Sequence, residues 1–419
     1  MAPVLRKRKI EKDRKTTAPS EEGEMAVVDP VTVNNNRKIG WCKARRKAIK
    51  MSCIADILPQ EVIFAILLLL PVDFIYHVVR YVCRGWYNII RSPSVAHSHL
   101  HNSSSSNTCL FLQSSFYHTP KSGYFLRTTN TGTIEFKRLG FVPHGVVMSS
   151  CNGLLYFPKH EAFEPCVLNP VTGQQVVLPF YKFRTCRPGT NHFLAYSPVS
   201  RVYKIAQLIS YAYNATPRFA ILTLGGVEKK KWRRIDASHL GLHTCYFRFP
   251  PLCIGRFMYY FCDPQGMSIV VFDIEIETLW SISFPTSDWR DPKKFLAMWG
   301  SLSMMVKVNS YLIKTWLLID PKTGRWEKLP DINFVASSRL RYHRMPIGSL
   351  GNGELLVFEE SSEIIVYHVK MGRIVASYQP DDKEYPACMY KWRCHPHVDS
   401  LVSLSPATTT AKPVEAYKK

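Results

Sequence analysis

The feature that most constrains this chain is a repeated turn. Asn169-Pro-Val-Thr-Gly-Gln-Gln-Val-Val-Leu-Pro179 and Asp320-Pro-Lys-Thr-Gly-Arg-Trp-Glu-Lys-Leu-Pro330 align without a gap, every matched position being 151 residues apart. Asn or Asp, Pro, any residue, Thr and Gly, then Leu-Pro, reads as strand, tight turn, strand. Degraded copies follow the same rhythm in Phe272-Asp-Ile-Glu-Ile-Glu-Thr-Leu-Trp280, in Leu222-Thr-Leu-Gly-Gly with Trp232, and in Val366-Tyr-His-Val-Lys-Met-Gly-Arg-Ile374. Marks at Gln175, Trp232, Trp280, Trp326 and Ile374 are spaced by 57, 48, 46 and 48 residues. A period of roughly 40–50 residues, each holding four short strands, is that of a propeller blade.

The runs between these marks support an all-β reading from residue 108 onward. Thr108–Gln113, Gly153–Phe157, Val202–Ile209, Ile269–Phe272, Trp316–Ile319, Leu355–Phe358 and Ile364–Val369 are short, β-rich and separated by turn residues. Thr108 to about Gly140 supplies one more unit, so the expectation is a propeller of about six blades. Val398–Leu404 is the candidate closing strand. Trp232, Trp280 and Trp326 recur at the blade period and are expected in blade cores.

Residues 56–100 have a different character. Pro59 suits a first helical position and Glu61 favours the helix dipole. Val62, Ile66 and Leu69 line one face, and Ile63, Leu67 and Leu70 another, until Pro71 stops the helix. A second helical pattern runs through Phe74/Val78, Ile75/Val79, Val82/Trp86 and Ile89. A unit this small cannot bury so much apolar surface by itself, so it either docks on a partner or packs on the rest of the chain. The fold class is therefore α+β multidomain, a small all-α unit followed by an all-β propeller.

Charge is the compositional outlier. Lys and Arg number 54 against 32 Asp and Glu, a net charge of +22, while 46% of residues are hydrophobic. The apolar fraction excludes global disorder, and the charge favours acidic partners. Residues 1–50 carry 14 Lys and Arg against 6 Asp and Glu, so +8 lies in this stretch. Arg6, Lys7, Arg8 and Lys9, with Lys43, Arg45, Arg46 and Lys47, form two basic clusters of the kind read by nuclear import receptors. Nucleus and/or cytoplasm is the expected location. The longest apolar run, Val62 to Val72, contains Pro71 and is shorter than the ~20 residues of a membrane span, so no membrane partner is expected. The start of the chain shows no apolar signal region, and the 12 scattered cysteines read as reduced thiols.

Two regions resemble a known family. Leu58-Pro-Gln-Glu, the Ile66-Leu67 pair, Leu70-Pro-Val72, Val82-Cys-Arg-Gly-Trp86 and Ile90-Arg-Ser-Pro93 are similar to an F-box at its usual spacing. Phe74-Ile75-Tyr76 and Val95 depart from that pattern. Ser149-Ser-Cys-Asn-Gly-Leu-Leu155 followed by Asn169-Pro-x-Thr-Gly resembles the F-box-associated, kelch-like domain of plant F-box proteins. The resemblance places an F-box at 52–100 and a propeller at 104–405; outside it, residues 1–51 read as a disordered basic arm and 406–419 as a disordered tail. It further implies the substrate-recognition subunit of an SCF-type ubiquitin ligase. An F-box would bind a Skp-family adaptor, and through it cullin and RING subunits, while the propeller would hold a protein target. Carried over by position, Leu58, Pro59, Ile66, Leu70 and Pro71 would form the adaptor-facing ridge, with Val82, Cys83 and Trp86 packing the last helix and extending that face. The basic propeller suggests a target with an acidic segment.

Motifs for other chemistry are missing. The sequence contains no G-x-S-x-G, H-E-x-x-H, Walker or G-x-G-x-x-G pattern. Cys388, Cys394, His395 and His397 are close in sequence, but their spacing suits a tetrahedral metal poorly, and neither metal nor cofactor is expected. Cys151-Asn152-Gly153 reads as a turn and not as a nucleophile. The basic runs Lys229–Arg234 and Arg339–Arg344 read as solvated loops. Two rival readings remain: a nucleic-acid-binding propeller using its arm and loops, whose mark would be steep salt dependence, and a propeller enzyme or glycan binder.

Overall fold

The computed structural model describes residues 58–103, 109–116, 119–129, 131–141, 143, 145–158, 164–179, 191–209, 217–224, 231–242, 246–247, 251–263, 268–286, 293–334, 345–360, 363–379 and 390–404. The two basic clusters of the arm, the tail from 406, Cys388 and Arg339–Arg344 lie outside the described residues. Among the described residues four helices come first: α1 (Gln60–Leu69), α2 (Val72–His77), α3 (Arg84–Ile90) and α4 (Pro93–Ser103), with a 3-10 turn at Val79–Tyr81.

Six antiparallel sheets follow. Blade one contains β1 (Cys109–Phe116), β2 (Thr119–Thr128) and β3 (Ile134–Arg138). Blade two contains β4 (Ser149–Cys151), β5 (Leu154–Phe157), β6 (Cys166–Leu168) and β7 (Gln175–Val177). Blade three contains β8 (Asn191–Ser197), β9 (Val202–Ile209), β10 (Arg218–Leu224) and β11 (Trp232–Ile235). Blade four has a divided first strand, β12 (Tyr246–Phe247) and β13 (Leu252–Ile254), then β14 (Phe257–Asp263), β15 (Ser268–Asp273) and β16 (Thr278–Ser283). Blade five contains β17 (Lys293–Met298), β18 (Ser301–Lys307), β19 (Leu312–Asp320) and β20 (Arg325–Lys328), with β21 (Ile332–Asn333) paired on β19. Blade six contains β22 (Gly348–Leu350), β23 (Leu355–Glu360), β24 (Glu363–His368) and β25 (Arg373–Tyr378). The last strand, β26 (Tyr390–His397), returns to blade one and pairs with β1, from Cys109 opposite His397 to Phe116 opposite Tyr390.

The first strands form a closed ring, β26 on β4, β4 on β8, β8 on β13, β13 on β17, β17 on β22 and β22 on β26. The chain is thus a six-bladed propeller, as its repeat period predicts. Closure falls on Tyr390–His397 and not on Val398–Leu404, which is the non-strand segment that follows. The reason is chemical. β26 carries polar residues that bond into blade two, His395 Nε2 lying 3.2 Å from Val147 O and His397 Nδ1 2.8 Å from Ser150 Oγ. It therefore shows no apolar pattern.

Every seam between blades has its own apolar core, because both faces of each middle strand are covered. Val270 and Phe272 face blade three while Ile269 and Val271 face blade five. Tyr156, Tyr260 and Tyr367 are fully buried, and each such side chain contributes about 1.5–3 kcal/mol by burial.

The repeated turn explains its own residues. Asn169 Oδ1 accepts from the N–H of Val171 at 2.9 Å, and Gly173, at φ +67°, donates to Asn169 O at 2.9 Å. Asp320 holds Lys322 N–H at 2.9 Å, and Gly324, at φ +70°, donates to Asp320 O at 2.9 Å. Asp273 accepts from Glu275 N–H at 2.9 Å, and His368 Nδ1 from Met371 N–H at 3.3 Å. The fifth position needs a left-handed backbone in all four: Gly173, Gly324 and Gly372 provide it freely, whereas Glu277 is held at φ +55°. Glu277 is retained by Lys204 Nζ at 2.9 Å and a two-pronged contact from Arg233, which ties blades three and four together.

Three sequence expectations need correction. Trp232, Trp280 and Trp326 sit on the outermost strands, half-buried, and not in the blade cores. Their indole N–H groups clasp a neighbouring blade: Trp232 donates back to Pro179 O of blade two at 3.2 Å, while Trp280 donates to Pro321 O of blade five at 2.9 Å and Trp326 returns to Ser283 O of blade four at 3.1 Å. The second helical pattern is broken into α2, a 3-10 turn and α3. Cys83, Cys109, Cys151, Cys166, Cys253 and Cys394 are free thiols, but Cys262 is disulfide-bonded. Cys262 lies opposite Phe247 in the pairing of β14 with β12.

Asn152-Gly153 forms the tight β4–β5 turn, at φ +51° and +80°. A Cβ at Gly153 would stand 2.2 Å from Ser400 Oγ and 2.8 Å from Val398 O, whereas Gly132, at φ +77°, has nothing within 4 Å. Gly153→Ala is expected to cost about 3 kcal/mol and Gly132→Ala about 1 kcal/mol. Denaturation midpoints of the two variants, compared with the parent, check the difference.

Candidate functional site

The helical unit builds one buried and one exposed apolar face. Pro59 precedes α1 with φ −56° and ψ 147°, and Leu70 is extended because Pro71 follows it. Ile63, Leu67, Val72, Ile75, Val79, Trp86 and Ile90 turn inward. On the other side Leu69 is 85% exposed, Tyr81 67%, Val82 51%, Val78 50% and Phe74 46%. One apolar sequence therefore serves two surfaces, as its all-round hydrophobicity requires.

The eight ridge positions named from sequence divide between these surfaces. Pro59, Pro71 and Val82 are exposed; Leu58, Ile66, Leu70 and Cys83 are half-buried. Trp86 is buried at 8% exposure and packs with Ile90 in the core, so it holds the helices together. Leu69, Phe74, Val78 and Tyr81 are further exposed apolar side chains of the unit, outside the positions carried over from the family pattern, and Phe74 lies in the segment that departs from that pattern.

The inward face is seated on blades two and three in a shared core with Leu154, Tyr156, Val171, Leu194 and Leu224. Tyr76 Oη donates to Thr172 O, inside the repeated turn, at 2.9 Å. The Arg80 guanidinium lies over the Tyr76 ring at 3.8 Å, and His97 meets Tyr196 at a ring separation of 6.1 Å. His99 Nε2 lies 2.8 Å from Leu70 O, which fixes the bend after α1 to α4. The segment after β26 completes the seat. Asn169 Nδ2 donates to Ser400 O and Val402 O, each at 2.9 Å, and Leu401 and Val402 enter the same core.

Strand direction defines two ends of the propeller. Turns between first and second, and between third and fourth, strands emerge on the side of Thr172 and the helical unit. Connections between blades, and between second and third strands, leave the opposite end. The described ends of the strands that lead into the inter-blade connections thus lie at the end away from the helices.

Neither alternative chemistry gathers a site. Cys394 packs toward Gly348 and Leu110 on the blade-six side, while His395 and His397 bond into blade two, so β26 alternation separates them. Among the described residues no cluster of three or more His, Cys, Asp or Glu could hold a metal. Burial pushes the Cys151 thiol well up, and the Asn152-Gly153 turn carries structure alone. From the first basic run, Arg233 is engaged by Glu277, while Lys231 and Arg234 are exposed. No described helix is long and apolar enough to cross a membrane.

A helical unit with an exposed apolar ridge, rigidly seated on one end of a propeller, defines a bridging receptor. Residues 56–98 match the F-box domain, and residues 99–383 match the F-box associated beta propeller domain. The chain belongs to the family of F-box proteins with an F-box associated propeller. It is 26% identical to the F-box protein DOR of Arabidopsis thaliana over 274 residues, 59% of this chain and 67% of that one. It is 24% identical to F-box protein At1g47810 of the same plant over 361 residues, 74% of this chain and 95% of that one. Among solved structures, a chain of the nidogen/laminin complex overlaps 70% of this chain and 100% of its own length, at TM-score 0.41 and 11% identity, which is too loose to carry an argument. The architecture is that of the non-catalytic substrate-recognition subunit of an SCF-type E3 ubiquitin ligase. Its F-box engages a Skp-like adaptor within a cullin–RING complex.

The Tyr76–Thr172 hydrogen bond is one of the ties between the two parts. Tyr76→Phe is expected to weaken the seat by about 1 kcal/mol, so amide exchange in α2 quickens by about fivefold with blade amides unchanged. Hydrogen exchange of the full-length chain measures both.

Proposed function

We propose that the exposed ridge formed by Pro59, Leu69, Pro71, Phe74, Val78, Tyr81 and Val82 is the surface that a Skp-family adaptor covers, bringing cullin and RING subunits with it. The observation that carries this is Leu69 at 85% exposure within an otherwise apolar helix. A large apolar side chain left in water beside others of its kind marks an interaction surface. The opposite end of the propeller then receives a protein target, and the net charge of +22 favours a target with an acidic segment. Ubiquitin transfer belongs to the bound subunits, and this chain supplies proximity.

Leu69→Asp and Val82→Asp are each expected to leave folding intact, within about 0.5 kcal/mol, and to weaken capture by a purified Skp-family adaptor by at least about thirtyfold. Trp86→Ala, by contrast, is expected to cost about 3–5 kcal/mol of stability. Circular dichroism and quantitative pull-down separate these effects; wild-type chain that fails to bind the adaptor overturns the proposal. We assign nuclear entry to Arg6–Lys9 and Lys43–Lys47 on their composition. Replacing all eight named bases by Gln is expected to shift a fluorescent fusion toward the cytoplasm, and an unchanged distribution overturns that assignment.

A further inference from the structure

The turns that leave the propeller on the side of the helical unit carry five large apolar side chains in the open. Val199 lies in the β8–β9 turn, Ile276 in the β15–β16 turn, Trp299 in the β17–β18 turn, Ile319 near the end of β19 and Met371 in the β24–β25 turn. Val199 is 76% exposed and Trp299 48%. They follow one another round blades three, four, five and six. This crescent begins beside the helices, because His97 of α4 meets the ring of Tyr196, three residues before Val199.

Contacts between neighbouring blades hold these turns in place. Glu275, next to Ile276, accepts from Ser197 Oγ at 2.7 Å, from Val199 N–H at 3.1 Å and from Ser200 N–H at 3.0 Å. Trp280 donates to Pro321 O, two residues past Ile319, at 2.9 Å. The Trp299 ring overlies Gly353 of blade six, where an added Cβ would stand 3.2 Å from it. Glu354, the next residue, pairs with Lys370 beside Met371.

Trp299 is held there against its own preference. It and Gly300 have φ of +48° and +69°, the same tight turn as Asn152-Gly153 at +51° and +80°. That first position suits Asn, Asp or Gly, and a bulky side chain in it is an outlier. Strain of this kind clusters at contact sites, and Trp is among the residues that most often anchor an interface.

The charges on the same turns are one-sided. Each described carboxylate is committed within the chain: Asp273 to Arg256, Glu275 to the turn at Ser197–Ser200, Glu277 to Lys204 and Arg233, Asp320 to its own turn and Glu354 to Lys370. Arg201, Lys322, Arg325 and Arg373 are exposed, and among the described residues their side chains make no hydrogen bond or ion pair. Apolar side chains interspersed with uncommitted bases fit a partner surface that is apolar and acidic.

We infer that this crescent is a second contact surface for the adaptor, met by an acidic face of that protein beyond the part that covers the F-box ridge. The inference rests on the reading of the ridge as the adaptor surface, and extends it onto the propeller. The adaptor is the occupant because the crescent continues from α4 and stands at the end of the propeller where the helices sit.

The test measures the affinity of the full-length chain for a purified, fluorescently labelled Skp-family adaptor by anisotropy, at low and physiological salt, with melting temperature as the check on folding. Trp299→Glu and the double variant Ile276→Glu with Met371→Glu are each expected to weaken binding by about tenfold. Val308→Glu, exposed just after β18 at the other end of the propeller, should change it by less than about twofold. Exchanging Lys322, Arg325 and Arg373 for Gln should flatten the salt dependence. Wild-type affinity in both Trp299→Glu and the double variant overturns the inference, and Leu69→Asp measured alongside shows whether the ridge reading stands without it. Wild-type chain that fails to bind the adaptor overturns both. A wild-type dimer in light scattering that the double variant dissolves, with adaptor affinity unchanged, assigns the crescent to a second copy of this chain and overturns the inference as well.

Discussion

The pairing of β1 with β26 is the contact on which the rest of the molecule depends. It joins segments from the two ends of the propeller sequence, so it carries a large loop-closure cost and forms late by nature. Its return is the completion of two seams at once. Leu110 and Leu112 pack toward blade six, and Phe111 toward blade two. The buried Gln113 then bridges to blade two, Nε2 donating to Gly145 O at 3.0 Å and Oε1 accepting from Val147 N–H at 2.8 Å. Without β26 the ring has an open inner edge, and the polar groups of blade two that meet His395 and His397 lose their partners.

Closure also fixes the F-box. α4 leads into β1, and residues 398–404 leave β26 at that same end of the propeller. The helices are thereby seated where the two chain segments meet, on a turn whose Asn169 binds the returning segment with one side-chain group and its own backbone with the other. The helical unit and the propeller are joined through a shared core. For a receptor that works by placing a target near a transfer site, that junction is the useful property.

Much of this architecture is legible in the sequence, and the limits have physical causes. The repeated turn can be read because its information is local: an Asx side chain, a proline and a residue in left-handed conformation lie within five positions. The closing strand is hard to read because His395 and His397 make their contacts across a seam, which leaves no apolar alternation to detect. In α1, Leu67 is fully buried and Leu69 is 85% exposed, yet the two are chemically identical. Periodicity shows that both faces are apolar and is silent on which face the propeller covers. The clasping role of Trp232, Trp280 and Trp326 was hidden for a related reason, since recurrence at the blade period does not separate a core position from an edge.

The dependence of the first domain on the last residues has a temporal meaning. During synthesis the helices emerge before the propeller, yet Leu401 and Val402, which complete their seat, follow only after all six blades. For most of translation the inward face of the helices lacks its cover, and the nascent chain carries an apolar surface meant for its own propeller. A chain interrupted before β26 would present an adaptor ridge attached to an unclosed ring. The order of the sequence thus makes the mounting of the F-box wait on completion of the ring.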